Sequence, residues 1–543
     1  MRKILFLLYF LSFLFATQSQ IKEQRLDLFK SIPVSSDDIV FVGNSITNGG
    51  QWADIFPDIS VKNRGISGNT TRMVLDRLSM ITERHPRKIF LLIGVNDLPS
   101  ATESGPVLRN ITAIIEQIKR ESPTTSIFVQ SIFPVNSSFS NFSHNQKGAL
   151  ILEVNEKLKS LCEQKNITYI DVHSRLRISD TNNNLNPAYT NDGLHLLGEG
   201  YALWASVIKP YTGSETSGIK SGVQYKNSNG ISTYSQQLVS QYSALNTSTS
   251  DIIMYGDYTV NSADWSELFN DTRIKSRGIN TTIDHLCTLL PNVIKGKPSR
   301  IFIYAGAYDL FSNNATAEYI RDKIAEMTDT IINTSPDTEI YVQSILPRVS
   351  SVETEKTKQT NILLKEFCES TNKAHYIDLF GEFKNIDNDN LNAYYTFSKI
   401  DINAKGYIAW ANHIALLIDK EIKPISPINT FPQAAFYDSP IDSEITNPVW
   451  FFLLSATKKT ILKSDNTGTG TTNIHTPLNE NSDSQFWRFQ QIGNLYTIVN
   501  KAFDKYLSST GNLSEEPSYF RIIPATPPCF RIQGENGWLC YGD

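Results

Sequence analysis

The chain is poor in cysteine and methionine, with five of each among 543 residues. There is no C-x-x-C pair and no metal-ligand spacing of cysteines, which leaves out zinc-ribbon frameworks and dithiol redox motifs. A basic block is also missing. Lys and Arg number 50 against 55 Asp and Glu, for a net charge of −5, which disfavours nucleic acid as the main partner. Beyond Ala16 no apolar run is long enough to span a bilayer. Cys162, Cys287 and Cys368 read as small buried hydrophobes, whereas Cys529 and Cys540 lie close enough in sequence to pair in an exported protein.

What is present fills several cores: 40% of residues are hydrophobic and 11% aromatic, and the length predicts about three domains. Arg2-Lys3 precede an apolar run from Ile4 to Ala16, and the chain turns polar at Thr17-Gln18-Ser19-Gln20. That order predicts a secretory signal over residues 1–20 and a secreted or periplasmic protein, with no membrane span after cleavage. No cysteine near its exit suggests lipid attachment.

From Ile39 onward buried-strand patterns alternate with helical ones. Asp38–Val42, Ile89–Ile93, Ser126–Val129 and Ile167–Ile170 read as strands, and Val107–Arg120 and Ala149–Lys165 as amphipathic helices. The alternation predicts a parallel sheet covered on both faces, an α/β fold. After a Ser/Gly/Thr/Asn-rich linker over 213–230 the pattern starts again. Ile252–Asp257 repeats the first strand and turn, Arg277-Gly278-Ile279 repeats Arg64-Gly65-Ile66, and Val342–Pro347 repeats Val129–Pro134. Tyr376-Ile377-Asp378 repeats Tyr169-Ile170-Asp171, and Gly406-Tyr407 with Trp410 repeats Gly200-Tyr201 with Trp204. Two tandem α/β domains are expected, over 21–212 and 231–422. A Pro-bearing linker over 423–435 leads to a C-terminal all-β module over 436–543, whose short alternating segments include Gln485-Phe486-Trp487.

Four stretches of the first copy carry chemistry. Ser45, in Gly43-Asn44-Ser45-Ile46-Thr47, follows the first strand on a turn that exposes a hydroxyl. Asn63–Thr71 offers a glycine-bearing turn around Gly68, and Asn96 projects just past the strand ending at Ile93. Asp192 precedes His195 by three residues, a spacing at which the carboxylate reaches one imidazole nitrogen and leaves the other for Ser45. The Ser45 and Gly68 N–H groups and the Asn96 amide are the candidate oxyanion donors. His173 is the competing base, without an Asp-x-x-His partner, and Asp97 reads as a turn residue. Asn69-Thr70-Thr71 is formally a glycosylation sequon, read as unused because a glycan there would obstruct the site.

These stretches, in this order between Asp38 and Tyr211, resemble the blocks of the SGNH hydrolases, the GDSL-like esterase superfamily, platelet-activating-factor acetylhydrolase-like members included. The resemblance implies a three-layer flavodoxin-like fold. It makes Ser45, Asp192 and His195 the catalytic residues and Ser45, Gly68 and Asn96 the oxyanion hole, with no metal and no cofactor. Asn44 stands where the family name expects Asp, outside the triad. In the second copy Tyr258, Thr281 and Tyr308 occupy the places of Ser45, Gly68 and Asn96, and Ser398–Asp401 contains no histidine, so that copy is expected to be inactive. The C-terminal module resembles ricin-type β-trefoil lectins through its Gln-x-Trp triplet. Removal of acetyl groups from glycans is the leading expectation. A lipid or phospholipid acylhydrolase and a non-catalytic secreted glycan-binding protein are the alternatives.

Overall fold

The computed structural model describes residues 22–223 and 230–418, apart from 386–387 and 398–400, and short stretches between 451 and 538. The expected signal over 1–20, the 423–435 linker, Gln485, Cys529 and Cys540, and three of the four residues 398–401 lie outside the described residues.

The first half runs α1 (22–31), β1 (Ile39–Gly43), α2 (Ser45–Asn48), α3 (Trp52–Ile55), β2 (Val61–Gly65), α4 (Thr71–Asp76) and α5 (Ser79–Thr82). It continues with β3 (Lys88–Leu92), α6 (Gly105–Glu121), β4 (Ser126–Gln130), α7 (Gly148–Gln164) and β5 (Thr168–Ile170). It closes with α8 (His173–Leu176), a hairpin β6–β7 (Arg177–Ser179, Asn182–Leu185) and α9 (Gly198–Thr212). Strands β2-β1-β3-β4-β5 form one parallel sheet, with Gly43 opposite Gly65 and Leu92. The strand order switches sides at β1, with β2 on one flank and β3 on the other, and in such sheets sites form at the carboxyl ends there.

The predicted strands and helices appear within a residue or two of their expected ends. β1 is buried along its whole length, as its apolar run requires. α6 buries Val107, Ile111, Ile114, Ile115 and Ile118, a helical stripe. Phe41 stacks on Trp52 at 4.0 Å, and Trp204 of α9 meets Trp52 edge-on at 4.6 Å, locking the turn after β1 onto the core.

β2 was not legible in the sequence, because Lys62, Asn63 and Arg64 break any apolar pattern although all three are buried. Asn63 Nδ2 donates to the carbonyls of Asn48 and Gly50, and Arg64 pairs with Glu267 at 2.8 Å. Asn63 and Arg64 enter the interior here because each is partnered.

The second half begins with α10 (Thr233–Ala244), β8 (Ile252–Gly256), α11 (Tyr258–Asn261), α12 (Trp265–Phe269), β9 (Ile274–Gly278) and α13 (Ile283–Val293). Then follow β10 (Arg300–Tyr304), α14 (Ala307–Ser312), α15 (Ala317–Thr334), β11 (Glu339–Gln343), α16 (Ser351–Thr371) and β12 (His375–Ile377). The order β9-β8-β10-β11-β12 repeats that of the first sheet, with Gly256 opposite Gly278. The described residues divide into two compact units, those up to 345 with 356–377, and those of 346–355 with the ones from 378 onward. Both sheets belong to the first unit. Two reciprocal buried ion pairs join the two sheets' helices and strands: Arg64 with Glu267, and Arg277 with Asp54 at 2.6 Å. Residues 213–223, expected as linker, are docked as well: Ser214 Oγ and the Glu215 N–H donate to Asp58, and Gly218 N–H donates to the Ile55 carbonyl.

In the second unit the strands beyond residue 450 are antiparallel, with Phe486–Ile492 paired to Leu495–Asn500 and Trp487 buried. Among the described residues no helix is long and apolar enough to cross a membrane.

Candidate active site

Ser45 opens α2 directly after β1, and Asn44 fixes that start by accepting a hydrogen bond from Ile46 N–H at 3.0 Å. Asparagine performs this cap as aspartate would. Tyr201 from α9 donates to the Ile46 carbonyl at 2.7 Å, and Trp52 Nε1 donates to the Thr47 carbonyl at 2.9 Å. The turn is therefore held from both sides.

Ser45 Oγ lies 2.9 Å from His195 Nε2, and His195 Nδ1 lies 2.8 Å from Asp192 Oδ2. The second carboxylate oxygen, Oδ1, accepts from the Leu194 and His195 backbone N–H groups at 2.9 and 2.8 Å. Burial alone would raise the Asp192 carboxyl. The hydrogen bond from His195 and the two backbone donors outweigh it and hold the group below the ordinary carboxylate range. An ionised Asp192 fixes the proton of His195 on Nδ1 and leaves Nε2 to accept from Ser45. Gly193 between them has φ +80, and a Cβ there would fall 2.8 Å from Phe139 and 2.9 Å from the Asn136 carbonyl, so the tight turn needs glycine.

Asn96 sits in a short 3₁₀ turn after β3. Its Nδ2 donates to the Asn69 carbonyl at 2.9 Å, and its Oδ1 lies 3.1 Å from His144 Nε2. An amide oxygen only accepts, so Nε2 of His144 carries the proton. One Asn96 N–H is thus engaged by Asn69, and the other is the donor available to an oxyanion. Gly68 is exposed, with φ +77, on the same rim after β2. Among the described residues no cluster of three His, Cys, Asp or Glu side chains is close enough to hold a metal.

The pattern of the GDSL-like lipase/acylhydrolase family matches residues 41–203. The chain is 31% identical over 180 residues to platelet-activating factor acetylhydrolase IB subunit alpha2 of Rattus norvegicus, covering 32% of this chain and 73% of that protein. The human protein of the same name gives the same identity and coverage. The chain belongs to the GDSL-like lipase/acylhydrolase family. A solved GDSL-like lipase from Bacteroides thetaiotaomicron is 24% identical, with a TM-score of 0.29, covering 32% of this chain and 87% of that one. Membership in the GDSL-like family carries ester hydrolysis with it.

Inside this GDSL-like domain the remaining sequence candidates separate. His173 is buried at the start of α8, and burial pushes its imidazole down to about 4, so it stays neutral at neutral pH. Asp97 accepts from Thr71 N–H at 3.0 Å and from Thr71 Oγ1 at 2.5 Å, which makes it part of the α4 N-terminus. Asn69 is buried, with its Oδ1 accepting from Arg77 Nε at 2.9 Å and its Nδ2 against Met73 Sδ at 3.9 Å, so the sequon's asparagine packs within the fold.

Two GDSL-domain contacts had no signal in the sequence. His144 lies far from any motif and reaches Asn96 only because the segment after β4 folds over the site. Asn145 Nδ2 on the Asp192 carbonyl at 3.0 Å and Asn136 N–H on the Gly193 carbonyl at 2.9 Å pin that segment. It also sets the exposed Phe142 edge-on to the His195 ring at 5.6 Å. The second contact is Gln237 of α10, whose Nε2 donates to Asp192 Oδ2 at 2.9 Å.

Proposed function

We propose that the chain is a serine esterase for short acyl groups, acetyl foremost, acting through Ser45, His195 and Asp192. The observation that carries this reading is the continuous hydrogen-bond chain from Ser45 Oγ through His195 to Asp192, at 2.9 and 2.8 Å. His195 Nε2 takes the hydroxyl proton as Ser45 Oγ attacks the ester carbonyl, and the resulting imidazolium is stabilised by Asp192. The tetrahedral oxyanion is met by the backbone N–H groups of Ser45 and Gly68 and by the free amide N–H of Asn96. His195 then protonates the leaving alcohol, and water, deprotonated by the same nitrogen, releases the acid from the acyl-enzyme.

The substrate we assign is an O-acetyl ester on a glycan, met outside the cytoplasm. The signal-like residues 1–20 and the antiparallel module around Trp487, read as lectin-like, support this assignment. The repeated sheet around Tyr258, Thr281 and Tyr308 is read as a second family copy without esterase activity. A lipid acetyl ester is the second reading. It is favoured by the 31% identity to a platelet-activating factor acetylhydrolase subunit.

Hydrolysis of p-nitrophenyl acetate, butyrate and octanoate by the full chain and by Ser45→Ala tests the reading. The expected result is acetate cleavage that falls with chain length and drops by up to about 10⁶-fold in the variant. Equal activity in both proteins would refute it. Release of acetate from acetylated glycans, compared with an acetyl-phospholipid, separates the two substrates.

A further inference from the structure

We propose that the second copy serves the first as a built-in positioning subunit, with Gln237 holding the carboxylate of Asp192. This inference rests on the triad reading above. Gln237 is 6% exposed and Asp192 2%. The Gln237 side-chain amide forks, Nε2 donating to Asp192 Oδ2 and to Asn191 Oδ1, each at 2.9 Å. Oδ2 also receives His195 Nδ1 at 2.8 Å, while Oδ1 is held by backbone N–H groups of its own turn. The local turn thus satisfies only one carboxylate oxygen and the histidine. The remaining lone pair of Oδ2 is filled from α10. A neutral amide suits this place. A cation would draw the carboxylate's charge away from His195, and a carboxylate would repel it.

α10 is anchored on both sides. Towards the first sheet, Gln241 Nε2 donates to the Gly49 carbonyl and its Oε1 accepts from Gln51 N–H, both at 2.9 Å. Gly198 N–H donates to Ser240 Oγ at 2.8 Å. Towards the second sheet, Tyr242 OH donates to the Gly278 carbonyl at 3.0 Å and Ser235 Oγ to the Asn280 carbonyl at 2.9 Å. One helix therefore ties the end of β9 to the Asp192 turn. The titratable groups facing the Asp192–His195 pair are His144, from the segment before α7, and Tyr201 of α9. Burial pushes His144 down and Tyr201 up, so both are neutral around pH 7.

The experiment compares wild type, Ser45→Ala, Gln237→Leu and Gln237→Glu in the full chain, measuring kcat and KM for p-nitrophenyl acetate against pH, and melting temperature. Gln237→Leu is expected to lower kcat about tenfold, as for the loss of a hydrogen bond to a charged group, with KM within about twofold. The acid limb of the rate profile is expected to move to higher pH, because Asp192 with one donor fewer holds the His195 proton more tightly. Gln237→Glu is expected to move it further, by adding negative charge, and carries the test alone if the leucine variant does not fold. An unmoved acid limb in both variants, whether kcat is full or merely follows a lowered melting temperature, overturns the role of Gln237. Activity surviving in Ser45→Ala overturns the triad reading, and the role of Gln237 with it.

Discussion

In the first half Asn44 caps α2 through Ile46 N–H, Trp52 Nε1 reaches the Thr47 carbonyl at 2.9 Å, and Asp97 receives Thr71 N–H. In the second half Asp257 caps α11 through Thr259 N–H, Trp265 Nε1 reaches the Val260 carbonyl at 2.8 Å, and Asp309 receives Ile283 N–H. Asn155 brackets Ile132 with two bonds of 2.8 Å, and Asn361 brackets Ile345 in the same way. The bonds that shape the turns are duplicated. The groups that would do chemistry are not, since Tyr258 and Tyr308 stand where Ser45 and Asn96 stand. The second half therefore works as an internal control: what both halves keep is architecture, and what only the first half has is the candidate machinery.

The strongest test of that comparison lies where the halves meet. Glu267→Ala would leave Arg64 buried without its partner, and Asp54→Ala would do the same to Arg277. Each variant is expected to lose roughly 3–5 kcal/mol in denaturant unfolding. A loss in only one of them would break the reciprocity. Burial works to raise the Glu267 carboxyl, but Arg64 and Lys62 outweigh it and hold the group below its ordinary value of 4.5. Its contribution to stability is thus present above that pH and is lost as pH falls through the lower folded value. The Glu267→Gln variant should flatten this acid dependence.

Next in size, Asn96→Ala is expected to lower kcat by ~10²–10³ through loss of an oxyanion donor. Tyr308→Ala, at the matching place and 40% exposed, should leave esterase activity unchanged. A fall in the tyrosine variant would show that the second half takes part in the chemistry. The smallest effect concerns His144. His144→Ala removes the donor that orients the Asn96 amide and should lower kcat about tenfold. Because the pair acts as a unit, it should cost little more once Asn96 is already alanine. Additive losses in that double-mutant cycle would separate His144 from Asn96.

The candidate site was legible in the sequence to the extent that its parts sit on local turns. Ser45 follows an apolar strand, Asn96 follows another, and the three-residue step from Asp192 to His195 lets a carboxylate bond both the imidazole and the backbone of its own turn. β2 was not legible, because its side chains are polar and their partners come from elsewhere, Glu267 among them. His144 and Gln237 were not legible either: each acts across a large gap in sequence, on Asn96 and on Asp192.

The sequence by itself determined the alternation that builds each sheet, the order of the turns that deliver Ser45, Asn96, Asp192 and His195, and the repetition of that order. Those properties depend on residues within a few positions of one another, through strand and helix periodicity and through caps. Tertiary structure decided that both sheets share one compact unit and that the second half supplies a donor to Asp192. It also decided that buried Arg64 and Arg277 are tolerable at all. Each of these depends on a charge or donor being matched by a partner distant in the chain, and only the folded packing brings those partners together.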